Sequence, residues 1–306
     1  MLDRGRENAG ARITNKTTMT ATPVFTHIRD IAIAARLQMK EAWVDGARKE
    51  KEIGGYAEID DTTVHMIEVL GEGEEHACHF DRFFENLFHT HRPASQTALR
   101  KNPPSGNDFV GALTWGGLSN EFNPKFRLRT LHDVVVDEEG IWIIAKPLCK
   151  PPFRADGSQT PPDIIDVLDA QSSKEARRRF LEAIGFATTV YAILYASDKI
   201  DRQQFVASVS NIDVPATLRR IDANPPFRNY LVDQAARNGW ACTYGAVSQW
   251  AADEQEARKI QWPIRAFRIQ FEPWVNDELA KALTTPVNET PRDDDDGGNE
   301  SNGGSG

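Results

Sequence analysis

The sequence predicts an α/β fold with a helix-rich C-terminal part. Residues 56–70, 76–91, 131–136 and 141–145 are rich in β-branched and aromatic residues, the composition of strands. Apolar residues recur at helical spacing before these runs, at 28–51, and over most of 162–258 after them. A length of 306 residues suits one large domain or two modest ones, and a 40% hydrophobic share is ample for a buried core.

In chain order, residues 1–22 are polar and lack the apolar centre of a signal peptide, and 1–24 are expected to be a disordered leader, with Met19 as an alternative start. Ile28, Ile31, Ala35, Met39, Ala42 and Trp43 line one face of an amphipathic helix. Gly54-Gly55 ends that helix or opens the following strand, since glycine permits a sharp backbone turn. The runs 56–70 and 76–91 flank the acidic turn 71–75 and are expected to pair antiparallel. A helix is expected after Asp108, at 109–113. Residues 131–136 and 141–145 then form a hairpin about Asp137-Glu138-Glu139-Gly140.

Five prolines make 147–162 an irregular connector. Helices are expected at 162–171, 173–197, 200–210, 214–222 and 226–258, and Ile264 to Phe271 alternates like a strand that rejoins the sheet. The run from Phe180 to Leu194 is apolar, but Glu182 interrupts it and it falls short of the ~20 residues a membrane span needs, so it is expected to be a buried helix. Beyond Trp274 the chain turns to Asp293-Asp294-Asp295-Asp296 and Gly/Asn/Ser, a composition that buries no core. The expected division is a first domain at 25–150, a helical extension with a final strand at 151–275, and a disordered acidic tail at 276–306.

The net charge of −9 is concentrated in that tail, which holds eight acids and two bases, so the rest of the chain carries about −3 and offers no basic surface for nucleic acid. Cys78, Cys149 and Cys242 are odd in number and widely spaced, which fits neither a disulfide framework nor a Cys-x-x-Cys zinc site. These features lead to the expectation of a cytoplasmic protein.

The chemistry is concentrated in Phe88-His89-Thr90-His91 and Ser105-Gly106-Asn107-Asp108. On a strand, His89 and His91 point the same way with Cα atoms roughly 6.6 Å apart, so two imidazoles can reach one metal ion. Asp108, in a loop entering a helix, can be aimed back at the strand end as the third ligand.

His-x-His, a loop, then Ser-x-x-Asp, with Glu52-Ile53-Gly54-Gly55 upstream, resembles the JAMM signature of the JAB/MPN-plus zinc metalloproteases in its compact viral and microbial form. Other His-x-His metal folds fit less well. An amidohydrolase-type barrel needs several later His or Lys ligands, and the one histidine after His91 is His132; a cupin needs a Glu a few residues beyond, where Ala94, Ser95 and Gln96 stand; a metallo-β-lactamase needs Asp-His where Arg92-Pro93 stands.

The resemblance covers roughly Asp30 to Pro147 and implies a JAB/MPN-like (cytidine-deaminase-like) mixed sheet flanked by helices. It implies Zn²⁺ held by His89, His91 and Asp108, Glu52 as general acid/base, and Ser105 as hydrogen-bond donor to the oxyanion, the set for hydrolysing an amide or isopeptide bond. Its implied partners are ubiquitin or ubiquitin-like conjugates. The alternative is a non-catalytic MPN-like scaffold, a class that usually loses the ligands this chain keeps; a third reading is hydrolysis of a small molecule or a sulfur-carrier protein.

Glu50, Glu58 and Glu85 are the other acids available for the Glu52 role; Glu52 is preferred because Gly55 stands at the third place after it, as in the motif. Ser105 also reads as a plain helix cap. His65, His76, His79 and His132 are expected to be surface or structural. Two departures stand out: Arg92 intervenes between the second His and Pro93, and thirteen residues separate His91 from Ser105. Arg100 and Lys101 in that long loop are expected to contact substrate.

Overall fold

The computed structural model describes residues 36–59, 64–69, 86–94, 99–117, 132–145, 161–240, 243–253 and 255–274. The expected leader 1–24, the acidic turn 71–75, His76, His79, Glu85, most of the connector 147–162, and the tail 276–306 lie outside these residues. The described residues up to Pro273 belong to one compact unit, and a second unit, Trp274–Gly306, lies almost wholly outside the described residues.

The fold is mixed α/β. Helix α1 (Arg36–Lys49) stops where Glu50 takes a φ of 55°, and Gly54 opens β1 (Gly54–Ile59). β2 (Val64–Val69) pairs antiparallel with β1, so the run read as one strand over 56–70 is a hairpin. β3 (Asn86–Thr90) pairs antiparallel with the other edge of β1, as expected for the two runs. The crossover from β3 passes through α2 (Gly106–Gly117) to β4 (His132–Val136), which lies parallel to β3. β4 turns at Asp137 into the antiparallel β5 (Gly140–Ala145), at the predicted hairpin.

Six helices follow: α3 (Ile164–Asp169), α4 (Lys174–Ala196), α5 (Arg202–Ser210), α6 (Val214–Asp222), α7 (Pro225–Arg237) and α8 (Tyr244–Asp253), with a short α9 (Gln255–Lys259). Ser173, Asp201, Asp213 and Asn224 cap α4 to α7, each accepting from a backbone N–H of the first turn. These caps start helices where side-chain oxygens can satisfy the first N–H groups; the expected 226–258 helix is three helices, the first ending just before Gly239, whose φ is 66°. The run at 264–271 is two strands, β7 (Ile264–Arg265), which pairs with β6 (Asn211–Ile212), and β8 (Arg268–Pro273), which joins the main sheet beside β5. The main sheet therefore runs β2-β1-β3-β4-β5-β8.

α4 is the hub. Phe180, Ala183, Ile184, Ala187, Ala192 and Ile193 are buried, and the helix shares one core with α2, Trp142 and Ile144 of β5, and the later helices. A helix buried nearly all round is apolar for that reason, and among the described residues no helix is long and apolar enough to cross a membrane. α2 and α4 meet closely at Gly106, whose missing Cβ would lie 2.3 Å from the Gly185 carbonyl oxygen.

Candidate metal centre

The centre forms at the C-terminal end of β3, where the crossover leaves the sheet and the N-terminus of α2 returns to it. Parallel strand ends joined by such a crossover leave a crevice outside their carboxyl ends. His89 is the penultimate residue of β3. His91 follows the strand but continues its ladder, its N–H donating to Val136 O at 2.8 Å, while the indole N–H of Trp43 on α1 donates to the His91 carbonyl at 2.9 Å. The His91 main chain is thus held on both sides.

The two rings turn their Nε2 atoms towards each other at 3.3 Å. Asp108 completes the cluster, with Oδ1 3.0 Å from His89 Nε2 and Oδ2 3.4 Å from His91 Nε2. One ligand atom from each of His89, His91 and Asp108 can be chosen so that all lie within 4.8 Å of one another. Ligands around zinc at roughly 2.0–2.1 Å stand about 3.3 Å apart, and the separations of His89 Nε2 from His91 Nε2 and from Asp108 Oδ1 are of that size.

The outer ring nitrogens are also engaged. His91 Nδ1 lies 2.8 Å from the Asn102 carbonyl, which can only accept, so Nδ1 carries the hydrogen and Nε2 faces the cluster. His89 Nδ1 faces Asp133 Oδ1 at 3.5 Å. Burial works to lower both imidazole pKa values, but the acids overcome it. Asp133 and Asp108 hold His89 well above its usual range, and Asp108 with Glu52 raises His91 to about 9. Burial opposes ionisation of Asp108 in turn, yet the two imidazoles hold it well below the usual carboxylate range.

Asp108 has a second task. It is the third residue of α2, and its Oδ2 accepts from the Ser105 N–H at 2.6 Å, while the Ser105 carbonyl accepts from Phe109 N at 3.2 Å. This is half of a capping box, and a carboxylate there also suits the positive end of the helix dipole. The capping and ligand readings of Ser-x-x-Asp are therefore compatible: one carboxylate closes the helix start and faces both imidazoles. Ser105 is buried beside it.

Glu52 reaches the same place from the other side. Thr90 N donates to Ile53 O and Ile53 N donates to Thr90 Oγ1, both at 2.8 Å, which clips residues 52–53 to the end of β3. Glu52 is buried, and burial raises its carboxyl pKa against the pull of His91 and His89. Of the rival acids, Glu50 is exposed at the end of α1; Glu58 lies on β1 and Glu85 outside the described residues. His132 opens β4 and His65 lies on β2.

The described C-terminal part of the long loop is docked against the end of α4. Arg100 and Lys101 both pair with Asp198 just beyond α4, at 3.1 and 3.0 Å, and the Arg100 N–H donates to Ala196 O. The Lys101 Nζ also sits 4.3 Å over the Tyr195 ring, while the Arg100 side chain stays largely exposed. Sequence reasoning missed Trp43, Asn102 and Asp133. Asp133 alone carried a signal, a single carboxylate before a run of three valines in a strand.

Compared with protein-family models, with curated proteins and with solved structures, the chain matches none.

Proposed function

We propose that the chain is a zinc-dependent hydrolase of amide or isopeptide bonds, a JAMM-type metallopeptidase on a JAB/MPN-like fold. The observation that carries this reading is the convergence of Glu52, a buried acid whose charge is felt by both imidazoles, on the His89–His91–Asp108 cluster from a segment distant in sequence. The mixed sheet, with the cluster at the mouth of a parallel crossover, supports the fold assignment.

His89, His91 and Asp108 would hold the metal through two Nε2 atoms and one carboxylate oxygen, leaving a fourth position open. Zinc held there supplies Lewis acidity, which polarises a carbonyl and acidifies water. Glu52 would take the proton from the attacking water and deliver it to the departing amine. Its raised pKa makes the carboxylate a stronger base for the attacking water than an exposed acid, and the proton it takes up is the one it passes on to the amine. The Ser105 hydroxyl is the donor assigned to the carbonyl oxygen as it gains charge. The substrate class, ubiquitin or ubiquitin-like conjugates, follows from the resemblance of the motif.

The test is cleavage of a panel of linkage-defined ubiquitin chains by zinc-loaded wild type and by Glu52→Gln. Cleavage by wild type, with turnover lower by roughly 10²–10⁴-fold in the variant, is expected for loss of a general acid/base. Equal turnover in the two would remove Glu52 from the mechanism.

A further inference from the structure

We propose that Asp133 is a positioning residue for the metal centre, orienting His89 and adding a negative charge behind it. The inference rests on the metal-binding reading above. Asp133 sits on β4, and in the parallel register His89 pairs with Val135, two residues further along. Asp133 and Val135 share a face of the strand, so the carboxylate stands diagonally behind His89 on the side from which α2 brings Asp108. Its Oδ1 lies 3.5 Å from His89 Nδ1, the ring nitrogen that points away from Asp108. That is roughly 0.5 Å longer than a well-formed N–H···O bond, an ion-pair contact that a small side-chain movement closes.

The neighbours of Asp133 sharpen the point. Val134, Val135 and Val136 are fully buried, so a carboxylate in this strand is costly unless a partner offsets its desolvation. The two imidazoles are also served differently. A neutral carbonyl, that of Asn102, holds His91, and a carboxylate faces His89. An acceptor at Nδ1 directs the lone pair of Nε2 to the metal and fixes the ring, and a charged one raises the basicity of the ligand as well. His89 is therefore the imidazole with the stronger donor Nε2.

Zinc affinity, measured by competition with a chromophoric chelator, and the intensity of the visible bands after cobalt(II) substitution test this without reference to turnover. Asp133→Ala is expected to weaken zinc by 10–100-fold. Asp133→Asn keeps an acceptor and the side-chain size but loses the charge, so it is expected to weaken zinc severalfold, with the cobalt bands retained. Wild-type affinity in Asp133→Asn would overturn the inference, and that variant decides the matter if Asp133→Ala does not fold. Wild type that takes up neither metal would instead remove the metal reading on which the inference depends.

Discussion

Gly106 and Gly185 meet backbone to backbone: a Cβ on Gly106 would stand 2.3 Å from the Gly185 carbonyl oxygen and 2.4 Å from Thr189 Oγ1, whereas a Cβ on Gly185 would first meet the movable Val110 Cγ2 at 3.1 Å. This contact sets the start of α2, and the start of α2 carries Ser105 and Asp108. Gly106→Ala is expected to destabilise the protein by about 1–3 kcal/mol, the usual range for overpacking, and to weaken metal binding by moving Asp108. Gly185→Ala should have the smaller effect on both. Melting temperature and zinc affinity of the pair check the ordering.

Asp137 ties the β4–β5 turn together. Its Oδ1 accepts from Glu139 N and Gly140 N, and its Oδ2 accepts from Trp142 Nε1 at 2.7 Å. In Asp137→Asn either the amide NH₂ opposes the indole N–H or the turn loses its acceptor, for an expected loss of about 1–3 kcal/mol. Burial pushes the Asp137 carboxyl up to about 7 despite these donors, while the unfolded group titrates near ~3.9. Between those values the folded protein keeps a proton that the unfolded chain releases. The contribution of Asp137 to stability therefore falls as pH rises from about 4 to about 7. Denaturant titrations across that range should show a downward slope in wild type that Asp137→Asn lacks.

Ser105 separates main chain from side chain. Its N–H holds Asp108, so Ser105→Ala leaves that bond in place and removes only the hydroxyl. Zinc affinity is expected to stay at the wild-type level while kcat falls on the order of 10²–10³-fold, the effect of losing one oxyanion donor. Loss of zinc in this variant would make Ser105 a structural residue.

The candidate site was legible where its parts are local. His89 and His91 share a strand face by spacing alone, and Asp108 lies at the third helical position after Ser105. Glu52 was reached through the glycine three places on, and its burial follows from the Thr90–Ile53 clip. Asn102 and Trp43 were not legible, because each meets His91 through tertiary packing that no local period records; Asp133 left only the trace of a lone carboxylate before three valines. β1 and β2 read as one strand in the sequence because no glycine or proline stands between Gly55 and Gly71 to interrupt the run. β8 was foreseen as a returning strand because its alternation survives the break at Ala266-Phe267.

Zinc stoichiometry tests the central claim most directly. Metal-free protein incubated with zinc, freed of excess and analysed for metal, is expected to hold one zinc ion per chain, with His91→Ala and Asp108→Ala each holding none while Glu52→Gln holds one. Wild type that retains no zinc, or variants of His91 and Asp108 that retain as much as wild type, would contradict the account.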